Sequence, residues 1–95
     1  MKPIKMEYKG LSELSQEIPT RGKYTKIGLQ AIKDFQNKNI KTAKLDITYT
    51  NEQELKALYS ALKSLTRRLK IPIRIAMHKD KTTNKHEIYL IQQNP

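Results

Sequence analysis

A run of leucines at helical spacing constrains the fold of this chain more than any other feature. Leucines recur every third or fourth residue, at Leu55, Leu58, Leu62, Leu65 and Leu69. This spacing places them on one face of an α-helix. Thr50 or Asn51 caps the start of this helix, and Asn51 with Glu54 three residues later is close to a capping box. Pro72 cannot extend the helix. The pattern predicts a helix of about five turns whose leucine face is buried in a core.

Strand periodicity occurs on both sides of this helix. Residues 43–49 and 71–77 alternate apolar and polar side chains, as half-buried strands do. Residues 4–8 show the same alternation over a shorter length, and residues 88–91 are apolar throughout. The polar segment 79–85 joins the last two strands, so we expect them to form a hairpin.

A second helix is predicted before residue 40. Its apolar stripe consists of Tyr24, Ile27, Gly28, Ala31, Ile32 and Phe35. Asn37 and Asn39 tolerate the left-handed conformation that commonly ends a helix. Residues 11–18 have loosely helical spacing, and we interpret them as a turn or a short helix. Pro19 and Gly22 then favour a loop up to Lys23.

The predicted order is strand, helix, strand, helix, strand, strand. This order predicts an α+β two-layer sandwich, in which a four-stranded mixed sheet carries two helices on one face. The 95 residues are enough for one domain, so we assign residues 1–95 to a single domain. The chain has no cysteine, no apolar leader and no apolar run of membrane-spanning length, which favours a cytoplasmic protein.

Positive charge is concentrated in one part of the chain. The whole chain has 19 Lys and Arg against 9 Asp and Glu, a net charge of +10. From Lys56 to Lys85 there are nine basic residues and one acid, Asp80, which is a net +8. An excess of this kind attracts polyanions.

The long helix arranges part of this charge in a stripe. On a helical projection the stripe lies roughly 140° from the leucine face. It consists of Lys56, Lys63, Arg67 and Lys70, and Ser60 lies among them. A helix that is merely solvated usually mixes Glu with Lys, whereas every charge after Glu54 is positive until Asp80. We therefore predict that these four cations bind phosphates.

Two further groups of cations are candidates for the same contact. Arg74, Lys79, Lys81 and Lys85 lie on the predicted hairpin, and a two-stranded ribbon can enter a nucleic-acid groove. Arg21 and Lys23 flank Gly22 at the start of the first long helix, where free N–H groups favour anions. The alternative interpretation is that both segments are ordinary solvated loops.

Nothing in the sequence favours an enzyme. The nine acids are scattered, and no phosphate-loop, nucleophile-elbow or zinc-protease motif occurs. His78 and His86 can face each other across the hairpin, but only Asp80 and Glu87 are near enough in sequence to add ligands. We expect no metal and no cofactor.

The order of elements resembles that of small basic chromatin proteins of the Alba type and of the C-terminal domain of bacterial initiation factor three. The resemblance covers roughly residues 20–92 and includes the pair Gly22-Lys23 before a helix. The spacer between residues 9 and 19 departs from this pattern. A likeness of topology does not establish a function.

The residues favour a protein that binds DNA or RNA mainly through phosphates. The alternative is a small protein-interaction module, an inhibitor or adaptor, whose basic face docks on an acidic partner. A membrane surface is disfavoured, because the basic helix has no apolar face left once its leucines are buried. Homodimerisation is compatible with the sequence but is not specified by it.

Overall fold

The fold is α+β, as the sequence predicts. A computed structural model describes residues 4–17 and 22–93. Its elements in chain order are β1 (Ile4–Glu7), α1 (Leu11–Glu17), α2 (Lys23–Lys38), β2 (Thr42–Asp46), α3 (Glu52–Arg68), β3 (Ile73–Lys79) and β4 (His86–Gln92). The segment that the sequence left open between a turn and a helix is the short helix α1. Within the described ranges, no helix is both long and apolar enough to cross a membrane.

The four strands form one mixed sheet in the order β1-β2-β4-β3. β1 runs parallel to β2, and β4 pairs antiparallel with both β2 and β3. The expected hairpin between the last two strands is therefore confirmed. Because β2 and β3 both run opposite to β4, they point the same way on either side of it. β1 and β3 are the two edges of the sheet.

One face of the sheet contributes to the core. Cross-strand partners lie on the same face, and Met6, Leu45 and Ile88 form one such row. All three are buried, as are Ala43 and Leu90 in the neighbouring row. The remaining core residues come mainly from the helices and β3: Leu11, Ile27, Ala31, Ile32, Phe35, Leu55, Leu58, Leu62, Leu65, Ile73 and Ile75.

Helices α2 and α3 approach each other closely at Gly28. A Cβ atom on Gly28 would lie 3.2 Å from Leu62 Cδ2 and 3.3 Å from Leu65 Cδ1. These distances are shorter than ordinary carbon–carbon contacts. A glycine in the middle of a helix is otherwise unfavourable, so here it is explained by the close approach of the two helices.

The leucine face of α3 ends earlier than its spacing predicts. Leu69 is 52% exposed, so the expectation that it belongs to the core is wrong. The helix ends at Arg68, and the chain turns away at Lys70, whose φ is 53°. The predicted cap at the other end is confirmed, because the Asn51 side chain accepts a hydrogen bond from the Gln53 N–H at 2.9 Å.

Two strand boundaries also differ from the prediction. β2 ends at Asp46, three residues earlier than the alternation predicts. Beyond it the chain leaves the sheet, and the Thr48 carbonyl accepts a hydrogen bond from the Leu11 N–H at 2.7 Å. β3 begins at Ile73 rather than at residue 71, because the turn that ends α3 occupies the residues before it.

Candidate nucleic-acid interface on helix α3

Helix α3 is a rigid support for side chains because its rotation is fixed by the core. Leu58 and Leu62 have no exposed surface, and Leu55 has 1%. Its first turn contains Glu52 and Glu54, and its last turn contains two arginines. Because the leucine face is buried, the flank opposite the leucines is turned towards solvent.

That flank carries Lys56, Lys63 and Arg67, whereas Lys70 lies in the turn just after the helix, so its predicted place in the helical stripe is wrong. We call the four cations together the basic row: Lys56, Lys63, Arg67 and Lys70. All four are exposed. Within residues 4–17 and 22–93, no carboxylate forms a salt bridge with any of them. The Lys63 ammonium lies 5.3 Å from the centroid of the Tyr59 ring, a cation–π contact that leaves its charge uncompensated.

The basic row lies on the side of α3 that is turned away from the other helices. Glu54 marks the other side, because it accepts hydrogen bonds from Tyr24 of α2 at 3.1 Å and from Ser12 of α1 at 3.4 Å. The basic row is roughly 160° around the helix from Glu54. It therefore faces away from α1 and α2, on the side where α3 packs over β3 at the edge of the sheet.

The hairpin lies next to the beginning of α3. His86 Nε2 is 3.9 Å from Glu52 Oε1, and the His86 N–H donates to the Tyr49 hydroxyl at 2.7 Å. Lys79 is the cross-strand partner of His86, while Lys81 and Lys85 are exposed in the turn. Lys79 and Lys81 therefore lie near the beginning of α3, whereas Lys85 lines a groove with Glu13 of α1 and Thr48.

The acid within the hairpin has a structural role. Asp80 Oδ1 accepts a hydrogen bond from the Thr82 N–H at 2.9 Å. The Asp80 N–H donates to the Lys85 carbonyl, and the Asp80 carbonyl accepts from the Asn84 N–H. This is the pattern of a turn stabilised by an aspartate side chain. Asp80 therefore shapes the turn that presents the lysines.

Arg74 is separated from the other candidates. Its neighbours Ile73 and Ile75 are buried in the core, so the alternation of a strand places Arg74 on the second face of the sheet. That face also carries an ion pair between Lys44 and Glu87. The Glu87 carboxylate raises the pKa of Lys44 by accepting its hydrogen bond. Lys44 on the second face is thus paired with a carboxylate, whereas no cation of the basic row has such a partner among the described residues.

The two histidines do not face each other as the sequence suggested. His78 is the cross-strand partner of Glu87, and His86 is the partner of Lys79. Adjacent positions in a ribbon alternate between its faces, so the two imidazoles point to opposite sides. The expectation that they lie face to face is therefore wrong.

The candidate phosphate site before α2 is only partly described. Arg21 lies outside the described residues. Gly22 has φ 78° and is the N-cap of α2. The Lys23 ammonium is 5.4 Å from the centroid of the Tyr24 ring. Because Tyr24 bonds to Glu54, this lysine lies at the same end of the helices as the hairpin.

Sequence reasoning missed a group of cations at the opposite end of the helices. We call this group, together with two members of the basic row, the basic end: Lys38, Lys41, Arg67, Arg68 and Lys70. It lies where α2 and α3 end and β2 and β3 begin. The signal was available, because each predicted helix is followed by a predicted strand, and a helix that connects two strands of one sheet normally makes them parallel.

The structure also contains a groove whose wall includes Lys38 of the basic end. It has a volume of about 530 Å³ and lies between β1 and α2. In its wall the Tyr8 hydroxyl donates to Asp34 Oδ2 at 2.8 Å. Burial, and then the bond to Asp34, raise the pKa of Tyr8 above its ordinary value. This pair ties β1 to α2.

Comparison of the chain with protein-family models, with curated proteins and with solved structures found no match. The likeness in element order to known basic domains is a likeness of topology alone. Any functional conclusion therefore depends on the geometry and charge of this chain.

Proposed function

We propose that this protein binds nucleic acid through backbone phosphates, along the basic row of α3. The observation that supports this proposal is the row itself: three exposed cations on one flank of a rigid helix and a fourth, Lys70, in the turn that follows it, none paired with a carboxylate of the described residues. A polyanion would supply the missing counter-charges. Release of its condensed counterions would favour binding.

The length of the basic row suits a repeating ligand. Lys56 and Arg67 are 11 positions apart within the helix, which at 1.5 Å per residue is about 17 Å. Duplex DNA carries one negative charge per ~1.7 Å of its axis. A row of this length therefore spans several phosphates, which a single small anion cannot provide.

Stabilisation of the helix explains only part of the row. Cations near a helix C-terminus interact favourably with the helix dipole, and this accounts for Arg67 and Arg68. The effect is confined to the last turn. Lys63 lies before that turn and Lys56 lies beyond the first turn, so the dipole explains neither lysine. Ligand binding accounts for these two lysines as well.

The hairpin extends the proposed interface. Lys79 and Lys81 lie on the hairpin beside the first turn of α3, near the N-terminal end of the basic row. Lys85 is left out of the proposal because it lines a groove with residues of α1. Arg74 is left out of the proposal because it lies on the second face of the sheet. The interface therefore follows one side of the molecule from the hairpin to the end of α3.

The proposal is tested by titrating labelled duplex DNA, duplex RNA and single-stranded DNA of mixed sequence at two salt concentrations. Polyglutamate serves as a control polyanion with the charge of an acidic protein. We expect tighter binding to at least one nucleic acid than to polyglutamate, with an affinity that falls steeply as salt rises. Equal binding to polyglutamate contradicts the proposal and favours an acidic protein partner. Absence of nucleic-acid binding at low salt also contradicts it.

A further inference from the structure

The turn that ends α3 contains a residue in a left-handed backbone conformation, which is unfavourable for a residue with a long side chain. The Ile71 N–H donates to the Thr66 carbonyl at 3.0 Å, and the Lys70 N–H donates to the Arg67 carbonyl at 3.4 Å. This pair of hydrogen bonds is a Schellman motif, which requires a left-handed residue just after the helix. Lys70 occupies that position with φ 53°.

Glycine is the usual residue in this position because it has no Cβ atom to crowd the following carbonyl. Asparagine is the common substitute. The other left-handed residues that the structure describes follow this rule, since they are Gly22, Asn39 and Asn84. Lys70 alone among them has a long side chain. A residue kept in an unfavourable conformation points to a role that compensates for the strain.

The position of Lys70 indicates what that role is. The Gln92 N–H donates to the Lys41 carbonyl at 2.7 Å, and the Gln93 N–H donates to the Pro72 carbonyl at 2.9 Å. Lys41 and Pro72 therefore lie on either side of the end of β4. With strands ~4.8 Å apart, their backbones are separated by roughly 10 Å. Long side chains from Lys41 and Lys70 can contact the same polyanion.

Acidic residues are missing from the segments that build this end. No Asp or Glu occurs between Asp34 and Asp46, or between Glu54 and Asp80. Asp34 itself is held by hydrogen bonds from Tyr8 and Gln30. The charge of the basic end is therefore open to a ligand of opposite sign.

We infer that Lys70 contacts a phosphate of the bound nucleic acid, and that the basic end anchors the ligand at the expense of stability. This inference rests on the proposed function and goes further, because it assigns the strained turn to binding. It predicts that binding and stability respond to Lys70 in opposite directions.

The test replaces Lys70 by Gly in the full chain. The variant relieves the left-handed strain, so its melting temperature should rise by about 4 °C. It also loses one phosphate contact, so its affinity for the nucleic acid bound by the wild type should fall about threefold to tenfold at low salt. Lys70→Arg retains the charge and should keep affinity within about twofold of wild type.

Asn39→Gly is the matched control. Asn39 is the left-handed residue that ends α2, with φ 52°. Its replacement changes the same kind of turn and leaves every cation in place, so binding should not change. Weaker binding in Asn39→Gly would show that loosening a helix end, rather than removing a charge, is responsible. That result would overturn the inference.

Two other outcomes would overturn it. If the wild type binds nucleic acid and Lys70→Gly binds equally well, the proposed function stands and the role of Lys70 is wrong. If Lys70→Gly binds more weakly without becoming more stable, there is no conflict between stability and binding at this position. If the wild type binds no nucleic acid, the proposed function and this inference both fail.

Discussion

Two leucines of the same helical pattern have different environments in this protein. Leu62 and Leu69 both belong to the leucine pattern of α3, yet Leu62 has no exposed surface and Leu69 is 52% exposed. The pattern cannot reveal where a helix stops, because it depends only on the positions of apolar residues. The stop is set by the turn at Lys70, and a lysine gives no sequence signal for a left-handed residue.

This difference predicts unequal effects on stability. Leu62→Ala removes buried methyl groups and leaves a cavity, so we expect a loss of ~2–5 kcal/mol in the free energy of unfolding. Leu69→Ala removes exposed atoms and should cost below ~1 kcal/mol. Urea unfolding at neutral pH measures both values. Equal losses would mean that the helix continues through Leu69.

Tyr8 predicts a pH-dependent difference in stability. Its pKa in the folded protein is raised above the ordinary 10.0, first by burial and then by its bond to Asp34. A group whose folded pKa is raised contributes stability that is present below the unfolded pKa and is lost as pH rises through the folded value. The folded state of the wild type should therefore weaken above about pH 10 through this tyrosine.

Tyr8→Phe has no hydroxyl to ionise, so it isolates this contribution. We expect Tyr8→Phe to be less stable than the wild type at neutral pH by about 1 kcal/mol. The gap should shrink as pH rises above 10, because only the wild type loses stability through this group. Unfolding in urea from neutral to alkaline pH measures the gap. A gap that stays constant would show that the pKa of Tyr8 is not raised in the folded protein.

Among the elements, the contact between α2 and α3 depends on Gly28. A valine there would bring its Cβ within 3.2 Å of Leu62 and add two further carbons, so Gly28→Val should destabilise the protein by ~1–3 kcal/mol. Gly28→Ala gains helix propensity and needs only small movements of flexible leucine ends, so it should be nearly neutral. Thermal unfolding of both variants gives the order. A stable Gly28→Val would contradict the close approach of the helices.

Periodic segments predicted the elements well, and their ends less well. The leucines of α3 and the alternation in β3 identified both elements because one face of each is buried. The end of β2 was not predictable, because residues 47–49 continue the alternation after the chain has left the sheet. Their exit depends on the bond between Leu11 and Thr48, a long-range contact that no local pattern encodes.

The same reasoning explains for which candidate cations the position in the fold was predicted correctly. The position of Lys63 follows from helical geometry within one element, and the structure confirms that it is exposed opposite the leucines. Grouping Arg74 with the hairpin required knowing which face of the sheet it occupies. The burial of Ile73 and Ile75 determines that face. The prediction that grouped Arg74 with the hairpin lysines did not take this burial into account.

Arg74 therefore provides a prediction for strand β3. Because it lies on the second face, Arg74→Ala should change nucleic-acid affinity by less than about twofold at low salt. Arg67→Ala removes the same kind of charge from the basic row and should weaken binding by more. Fluorescence anisotropy of one labelled ligand compares the two variants. A larger effect for Arg74 would place the interface on the second face of the sheet.

At the scale of the whole molecule, charge is unevenly distributed along the helices. Glu52 and Glu54 lie at the beginning of α3, next to the hairpin, while the basic end lies beyond its last turn. The basic row connects these two regions on the side away from α2. A polyanion would therefore encounter the protein in a preferred orientation, since an asymmetric field steers the approach of a charged ligand.

The central claim is that a defined row of cations, rather than net charge alone, binds the phosphates. The dependence of affinity on salt tests it directly, because each phosphate contact contributes ~0.9 to the slope of log affinity against log salt for duplex DNA. With about four to six contacts, the wild-type slope should be roughly −4 to −5. Lys33 lies on α2, outside the basic row, so Lys33→Ala removes the same charge and serves as the matched control.

We expect Lys63→Ala and Arg67→Ala each to reduce the steepness of the slope by about 0.9 and to weaken binding on every sequence alike. Lys33→Ala should leave the slope close to that of the wild type. If all three substitutions change the slope equally, the positions of the cations do not matter. That result would contradict the account, because it would reduce binding to the net charge of +10.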